Sequence, residues 1–237
     1  MKPQLNEILK VTCKLLDGRV NSIDGIFTLD SIIYHAWFLK NAPGVIDGTL
    51  SYEKNEDAGR FDVPIRALKE HRYACSWGFY HEYEQNVEYW TKKPNFSSLD
   101  GLEHLEPTKA NKINTSSGSL KAYRTPQTIR LIGDIEFYCV GNKELIEEYL
   151  SYMLYIGKKP AAGWGVVKEW IVETFPEDWS TYSPKYGIMR PLELEEFITY
   201  PKDRAYEMRK VGIRPPYWKH TNQRACVVPK VNTNDAS

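Results

Sequence analysis

Hydrophobic and polar positions alternate from residue 8 to residue 16, with Leu9, Val11, Cys13 and Leu15 on one side and Lys10, Thr12 and Lys14 on the other. A period of two predicts a strand with one face on a core. After a turn-rich link the period changes. Leu29, Ile32, Ile33, Ala36 and Trp37 recur at helical spacing behind Thr28, a candidate cap, until Asn41-Ala42-Pro43-Gly44 stops the run. Residues 61–90 carry Val63, Ile65, Tyr73, Cys75, Trp77, Phe79, Tyr83 and Tyr89, a density of strand formers that predicts a hairpin or two strands. Residues 129–140 alternate again and place Ile129, Leu131, Ile135, Phe137 and Cys139 inward. Asn142 then caps a helix bearing Leu145, Ile146, Tyr149, Leu150 and Met153, which Gly157 ends, and a strand returns over 164–172.

Taken in order, these elements read β-α-β followed by β-α-β, the ferredoxin-like arrangement shared with RNA-recognition modules. The expected fold class is α+β, with this core over residues 1–174. Between its halves, residues 91–128 turn to Lys, Pro, Asn, Ser, Thr and Gly, too poor in large apolar side chains to build a core. A long insertion of this kind, basic in its second half, predicts an arm that orders on nucleic acid. Prolines punctuate residues 175–237, among them Pro184, Pro191, Pro201, Pro215, Pro216 and Pro229, with a short helix near Leu192 to Phe197. An extension wrapped over the core is expected there. Its Tyr217, Trp218 and His220, set among basic residues, either stack bases and pair phosphates or form a packed cluster with solvated charges.

Composition narrows the class. A chain of 237 residues, 42% hydrophobic and 26% charged, can bury one sizeable core. No run of about eighteen apolar residues spans a bilayer, and the first residues lack a signal peptide's apolar centre, so a soluble, cytoplasmic protein is expected. The four cysteines lie far apart and fit reduced core residues better than a metal site; neither metal nor cofactor is expected.

The net charge of zero conceals segregation. Lys109, Lys112, Lys121, Arg124 and Arg130 fall in an acid-free stretch from 107 to 133. Arg209, Lys210, Arg214, Lys219, Arg224 and Lys230 fall in another, from 208 to 234. Acids gather instead at 134–148 and 169–196. A basic face suited to nucleic acid can therefore coexist with an acidic face that meets proteins or solvent.

The sharpest local signal is the loop after the second helix, where Gly157, Gly163 and Gly165 bracket Lys158, Lys159 and Trp164, with Lys168 beyond. Glycines allow close backbone approach, lysines supply charge for phosphates, and a tryptophan offers a stacking face. A helix stop followed by a tight turn would explain the glycines alone. The spacing matches neither a P-loop nor a dinucleotide fingerprint. The strand at 129–140 also lacks the aromatic signature of a single-strand-reading RNA module.

These residues carry a family resemblance. Ile156-Gly157-Lys158-Lys159, a short spacer, Gly163-Trp164-Gly165 and a valine-rich strand resemble the glycine-rich loop of the CRISPR-associated RAMP superfamily. Leu15-Leu16-Asp17-Gly18 and the helix start at Ile26 to Ile33 resemble the opening of small type IV RAMP subunits of the fifth Cas family. The resemblance spans about residues 5 to 174. It implies a ferredoxin-like, non-catalytic subunit that grips the repeat-derived 5′ handle of a guide RNA. Such a subunit caps the backbone filament of an effector complex beside a large subunit, with target DNA as a further candidate contact. By position it assigns RNA contact to the loop residues, and to Lys109, Lys112, Lys121 and Arg124 in an insertion acting as a thumb.

Two rival readings come from other classes. His35, with Tyr34 and Lys40 nearby, is placed roughly where some guide-processing endoribonucleases of the superfamily keep a general acid or base, although a histidine on a largely apolar helix is commonly structural. His71, His81, His104 and His220 form no metal-ligand spacing. The other rival is a protein-interaction subunit whose aromatics, 13% of the chain, build an interface without RNA. RNA binding separates it from the first two.

Overall fold

The computed structural model describes residues 5–46, 63–69, 72–93, 121–202 and 205–232. Its elements, in chain order, are β1 (Glu7–Leu15), β2 (Arg19–Asn21), α1 (Leu29–Asn41), α2 (Pro43–Ile46), β3 (Glu82–Lys92), β4 (Tyr123–Ile132), β5 (Ile135–Gly141), α3 (Lys143–Leu150), β6 (Val167–Thr174), β7 (Tyr182–Ser183), β8 (Gly187–Ile188), α4 (Leu194–Phe197), β9 (Glu207–Gly212) and β10 (Gln223–Val228). The fold is α+β, with antiparallel sheets and few helices.

The main sheet has β1 at its centre, antiparallel to β5 on one side and to β6 on the other. The alternation along β1 sends Leu9, Val11 and Cys13 into the core, where they join Leu29 and Ile33 of α1, Ile146 and Leu150 of α3, Phe137 of β5 and Val172 of β6. Each large apolar side chain buried this way contributes roughly 1.5–3 kcal/mol. α3 starts as expected, with Asn142 Oδ1 accepting the Leu145 N–H at 2.9 Å. α1 also begins after Thr28, but the Thr28 hydroxyl pairs with the Ser31 hydroxyl instead of capping an amide. Its buried face includes Asp30 and Phe38, whereas Trp37, expected inward, is only half-buried.

Residues 63–69 and 72–80 lie beside β5 through isolated bridges, as an irregular fourth strand. The Arg66 N–H donates to the Val140 carbonyl at 2.7 Å, and Phe79 and Glu136 exchange backbone bonds of 2.8 Å each. The spatial order is thus 63–69 with 72–80, then β5, β1 and β6.

Three boundaries differ from the sequence reading. The strand expected over 129–140 is two strands in two sheets. β4 pairs with β2 and β3, Gly133 and Asp134 turn the chain, and β5 enters the main sheet. The break leaves Ile129 and Ile132 buried but Leu131 only half-buried. The second helix ends at Leu150 rather than Gly157, because Tyr155 bridges to Val166 and the Ile156 N–H donates to the Gly165 carbonyl at 2.8 Å, drawing the chain into a ladder. That ladder also delays β6, which begins at Val167 and not at Trp164.

β3 and β4 form a long hairpin arm paired from Glu82↔Ile132 to Lys92↔Tyr123, with the middle and outer part of β3 exposed on both faces. The ladder therefore occupies both ends of the stretch read as an insertion, while residues 94–120, including Lys109 and Lys112, lie outside the described residues. Arg130 anchors the arm's base. It pairs with Glu82 and donates through Nε to the Ser22 carbonyl at 3.0 Å and through Nη2 to the Ile23 carbonyl at 3.1 Å.

The sheet face opposite the helices is covered. Lys10 pairs with Glu136 at 2.6 Å and Lys14 with Glu169 at 3.2 Å across it. Phe79, Tyr138 and Met189 pack there with Phe175, Trp179 and Tyr186. All four cysteines are buried and unbridged, as the sequence implied, and desolvation raises every thiol's pKa, that of Cys226 to about 11. Among the described residues no helix is long and apolar enough to cross a membrane.

Candidate nucleic-acid interface

The glycine loop is stitched to β2. The Lys158 N–H donates to the Asn21 carbonyl at 2.9 Å and the Gly165 N–H to the Arg19 carbonyl at 2.7 Å. Two of its glycines are required by the chain's own packing. Gly157 has φ +77°, and a Cβ there would lie 2.7 Å from the Asn21 oxygen; Gly165 has φ +71°, and a Cβ there would lie 1.9 Å from the Ile156 oxygen. Trp164 is 7% exposed, so it packs inward and leaves no open stacking face, contrary to the sequence expectation. Between the glycines, one 3-10 turn (Pro160–Ala162) is bounded by Lys159 at φ 60° and Gly163 at φ 80°.

This backbone holds Lys158 and Lys159 outward. The Lys159 ammonium sits 5.1 Å over the ring of Trp90, a half-open side chain on β3, and so ties the loop to the arm. A cation over an indole face is worth about 0.5–1 kcal/mol at an exposed site. Farther along the arm the Arg124 guanidinium stacks 3.8 Å over Tyr89, and Lys121 is exposed just before β4. Lys168 stands apart, in a separate hollow with Glu147, Met153 and Trp170. The structure thus brings together Lys158, Lys159 and the arm, and leaves Lys168 elsewhere.

From the loop, a groove of about 850 Å³ runs along Asn21, Ser31 and His35. A second cleft of about 660 Å³ shares Asp24, Ile26, Thr28, Ser31 and His35 with it and continues to Lys210, Tyr217 and Trp218. His35 lies where the two meet. It is exposed, yet the surrounding walls desolvate it and lower its pKa, which favours neutral imidazole at pH 7. Among the described residues no cluster of three metal-ligating side chains occurs. Sequence reasoning missed two contributors. Trp90 falls at the end of a run read only as strand formers, and Asn21 sits on a three-residue strand too short to show a period.

Comparison with known proteins gives the class: a subunit associated with CRISPR systems. The chain belongs to the family described as CRISPR type IV associated protein Csf3, which it matches over residues 80–229. That match takes in the arm, β5, the glycine loop and the tail as far as Pro229. No curated protein matches the chain.

Proposed function

We propose that this chain is the non-catalytic RNA-holding subunit of a type IV effector complex, gripping the 5′ handle of the guide RNA and capping the backbone filament beside the large subunit. One observation carries the reading. Lys158 and Lys159 project from a backbone fixed to β2, at the mouth of an open groove, and Lys159 is joined to the arm through Trp90. Cations on a pre-set backbone can meet successive phosphates with little ordering cost.

The order 63–69 with 72–80, β5, β1, β6, with α1 and α3 packed on β1 and β6, supports a ferredoxin-like core. Ion pairs and the tail's aromatics occupy the face such cores often offer to single strands, which supports binding at the loop edge instead. In this reading residues 1–174 form the core with the arm as thumb, residues 175–237 form the extension, the complex meets target DNA through its guide, and the setting is the cytoplasm.

Filter binding with a short RNA carrying the repeat-derived 5′ segment tests the reading. The wild-type affinity should fall steeply with salt, and Lys158→Ala with Lys159→Ala should weaken binding and flatten the salt slope by about one to two units. Salt-insensitive binding, or none, overturns it. His35 favours a second reading, an endoribonuclease, because a neutral imidazole stands at the groove junction.

A further inference from the structure

We infer that the cleft between α1 and the β9–β10 tail is a slot for a single unpaired nucleotide of the bound RNA, its base stacked on Trp218. The inference rests on the RNA-holding function proposed above and names what one end of the groove receives.

The cleft's size, about 660 Å³, falls within the roughly 300–1,000 Å³ that suits small organic ligands. At its rim Trp218 is 74% exposed and offers aromatic surface to the cleft. Trp77 forms part of the wall, buried, with its Nε1 donor lacking any acceptor. That atom is itself shielded from solvent, so Trp77 contributes a flat aromatic wall and no bond to a guest.

The remaining groups fit a nucleotide better than a purely apolar guest. Lys210 lines the cleft and lies 3.4 Å from the ring Nε2 of His220, which places cationic and imidazole groups where a phosphate would emerge. The acid in the lining, Asp24, already accepts from the Ser22 hydroxyl and the Ile26 N–H at 3.2 Å each. Tyr217 has its hydroxyl committed to buried Asp30, so it presents a fixed ring and no competing donor. Gly212 lets the tail close tightly, since a Cβ there would lie 2.6 Å from the Tyr217 carbonyl. The cleft is also continuous with the groove that begins at Lys158, through Thr28, Ser31 and His35. A strand held by its phosphates at Lys158 can turn one base into the slot.

A free nucleotide shares this chemistry, and the test separates the two sources. The full-length protein is titrated with the repeat-derived RNA, with a series carrying one abasic ribose moved along it, and with AMP, GMP, CMP and UMP. In the wild type an abasic ribose at one position should cost about tenfold in affinity, the scale of one base stacked on an aromatic ring. Trp218→Ala should lose about as much on intact RNA and nothing further on that abasic RNA. Lys158→Ala with Lys159→Ala should lose equally on both. If the wild type binds RNA but no abasic position costs more than about twofold, the slot is wrong while the RNA-holding reading stands. If no RNA binds, both fail. If a free nucleotide binds in a Trp218-dependent way and RNA does not compete, the slot belongs to that nucleotide. Unchanged melting of Trp218→Ala confirms that the comparison is between folded proteins.

Discussion

The phenolic hydroxyl of Tyr217 lies 2.9 and 2.8 Å from the two carboxylate oxygens of Asp30, fastening the C-terminal segment to the first turn of α1. Asp30 is 1% exposed. Burial raises its pKa from 3.8 to about 6, against the opposing effects of the Tyr217 hydrogen bond and the Arg190 charge. The folded protein therefore holds this proton more tightly than the unfolded chain does. The stabilisation from Asp30 is full below about pH 4 and is lost as pH rises through about 6. Urea unfolding across that window should show Asp30→Asn gaining on the wild type by about 2–3 kcal/mol as pH rises. Tyr217→Phe should extend the window upward, because it removes a bond that favours the carboxylate. A constant difference between Asp30→Asn and the wild type would show that Asp30 does not titrate there.

The three loop glycines should rank in a fixed order when replaced by alanine. Gly165→Ala puts a methyl 1.9 Å from the Ile156 oxygen and should cost most; Gly157→Ala, at 2.7 Å from the Asn21 oxygen, comes next. Gly163→Ala meets nothing within 4 Å and carries only the left-handed backbone cost, about 1–2 kcal/mol. Thermal melts of the three variants read this order directly, and a Gly163→Ala that melts lowest would contradict it.

Arg130 and Glu82 make an asymmetric pair at the base of the arm, with side chains only 13% and 16% exposed. Arg130→Ala strands a largely buried carboxylate and also removes the bonds to the Ser22 and Ile23 carbonyls, so a loss of about 3 kcal/mol is expected. Glu82→Gln leaves those carbonyl bonds in place and should cost about 1 kcal/mol. Denaturant midpoints of both variants decide it.

The holder and nuclease readings part at His35. For a holder, His35→Ala leaves repeat RNA at the same length as with the wild type. A general acid or base normally supplies about a hundredfold or more in rate. Metal-independent cleavage by the wild type, abolished by His35→Ala, would establish the endoribonuclease.

What the sequence shows depends on whether an element is half-buried. β1 and α3 were legible because each sorts its apolar and polar side chains onto separate sides and, for α3, a cap works in place. The arm was not. Tyr83 and Tyr89 marked a strand but not which side would be dry, and with β3 exposed on both faces they lie on the surface beside Val87 and Trp90. The junction of β4 and β5 escaped notice because Gly133 and Asp134 break the ladder without disturbing the alternation beyond them. At the loop the lysines were read as exposed, and they are, but Trp164 was read outward because its flanking glycines suggested a ligand. The residues filling that space are the chain's own, at Arg19 and Asn21. Asp30 gave no sign of its partner, since an acid in a helix's first turn is ordinarily a solvated one.

The burial of all four cysteines has a practical side. With every thiol shielded and its thiolate disfavoured, the native protein resists alkylating reagents without any substitution. A single cysteine placed at exposed Gln85 on the arm then becomes the one fast-reacting handle on the molecule. Paired with a dye on the 5′ end of an RNA, it turns the spacing between arm and strand into a distance that can be followed in solution as the complex assembles.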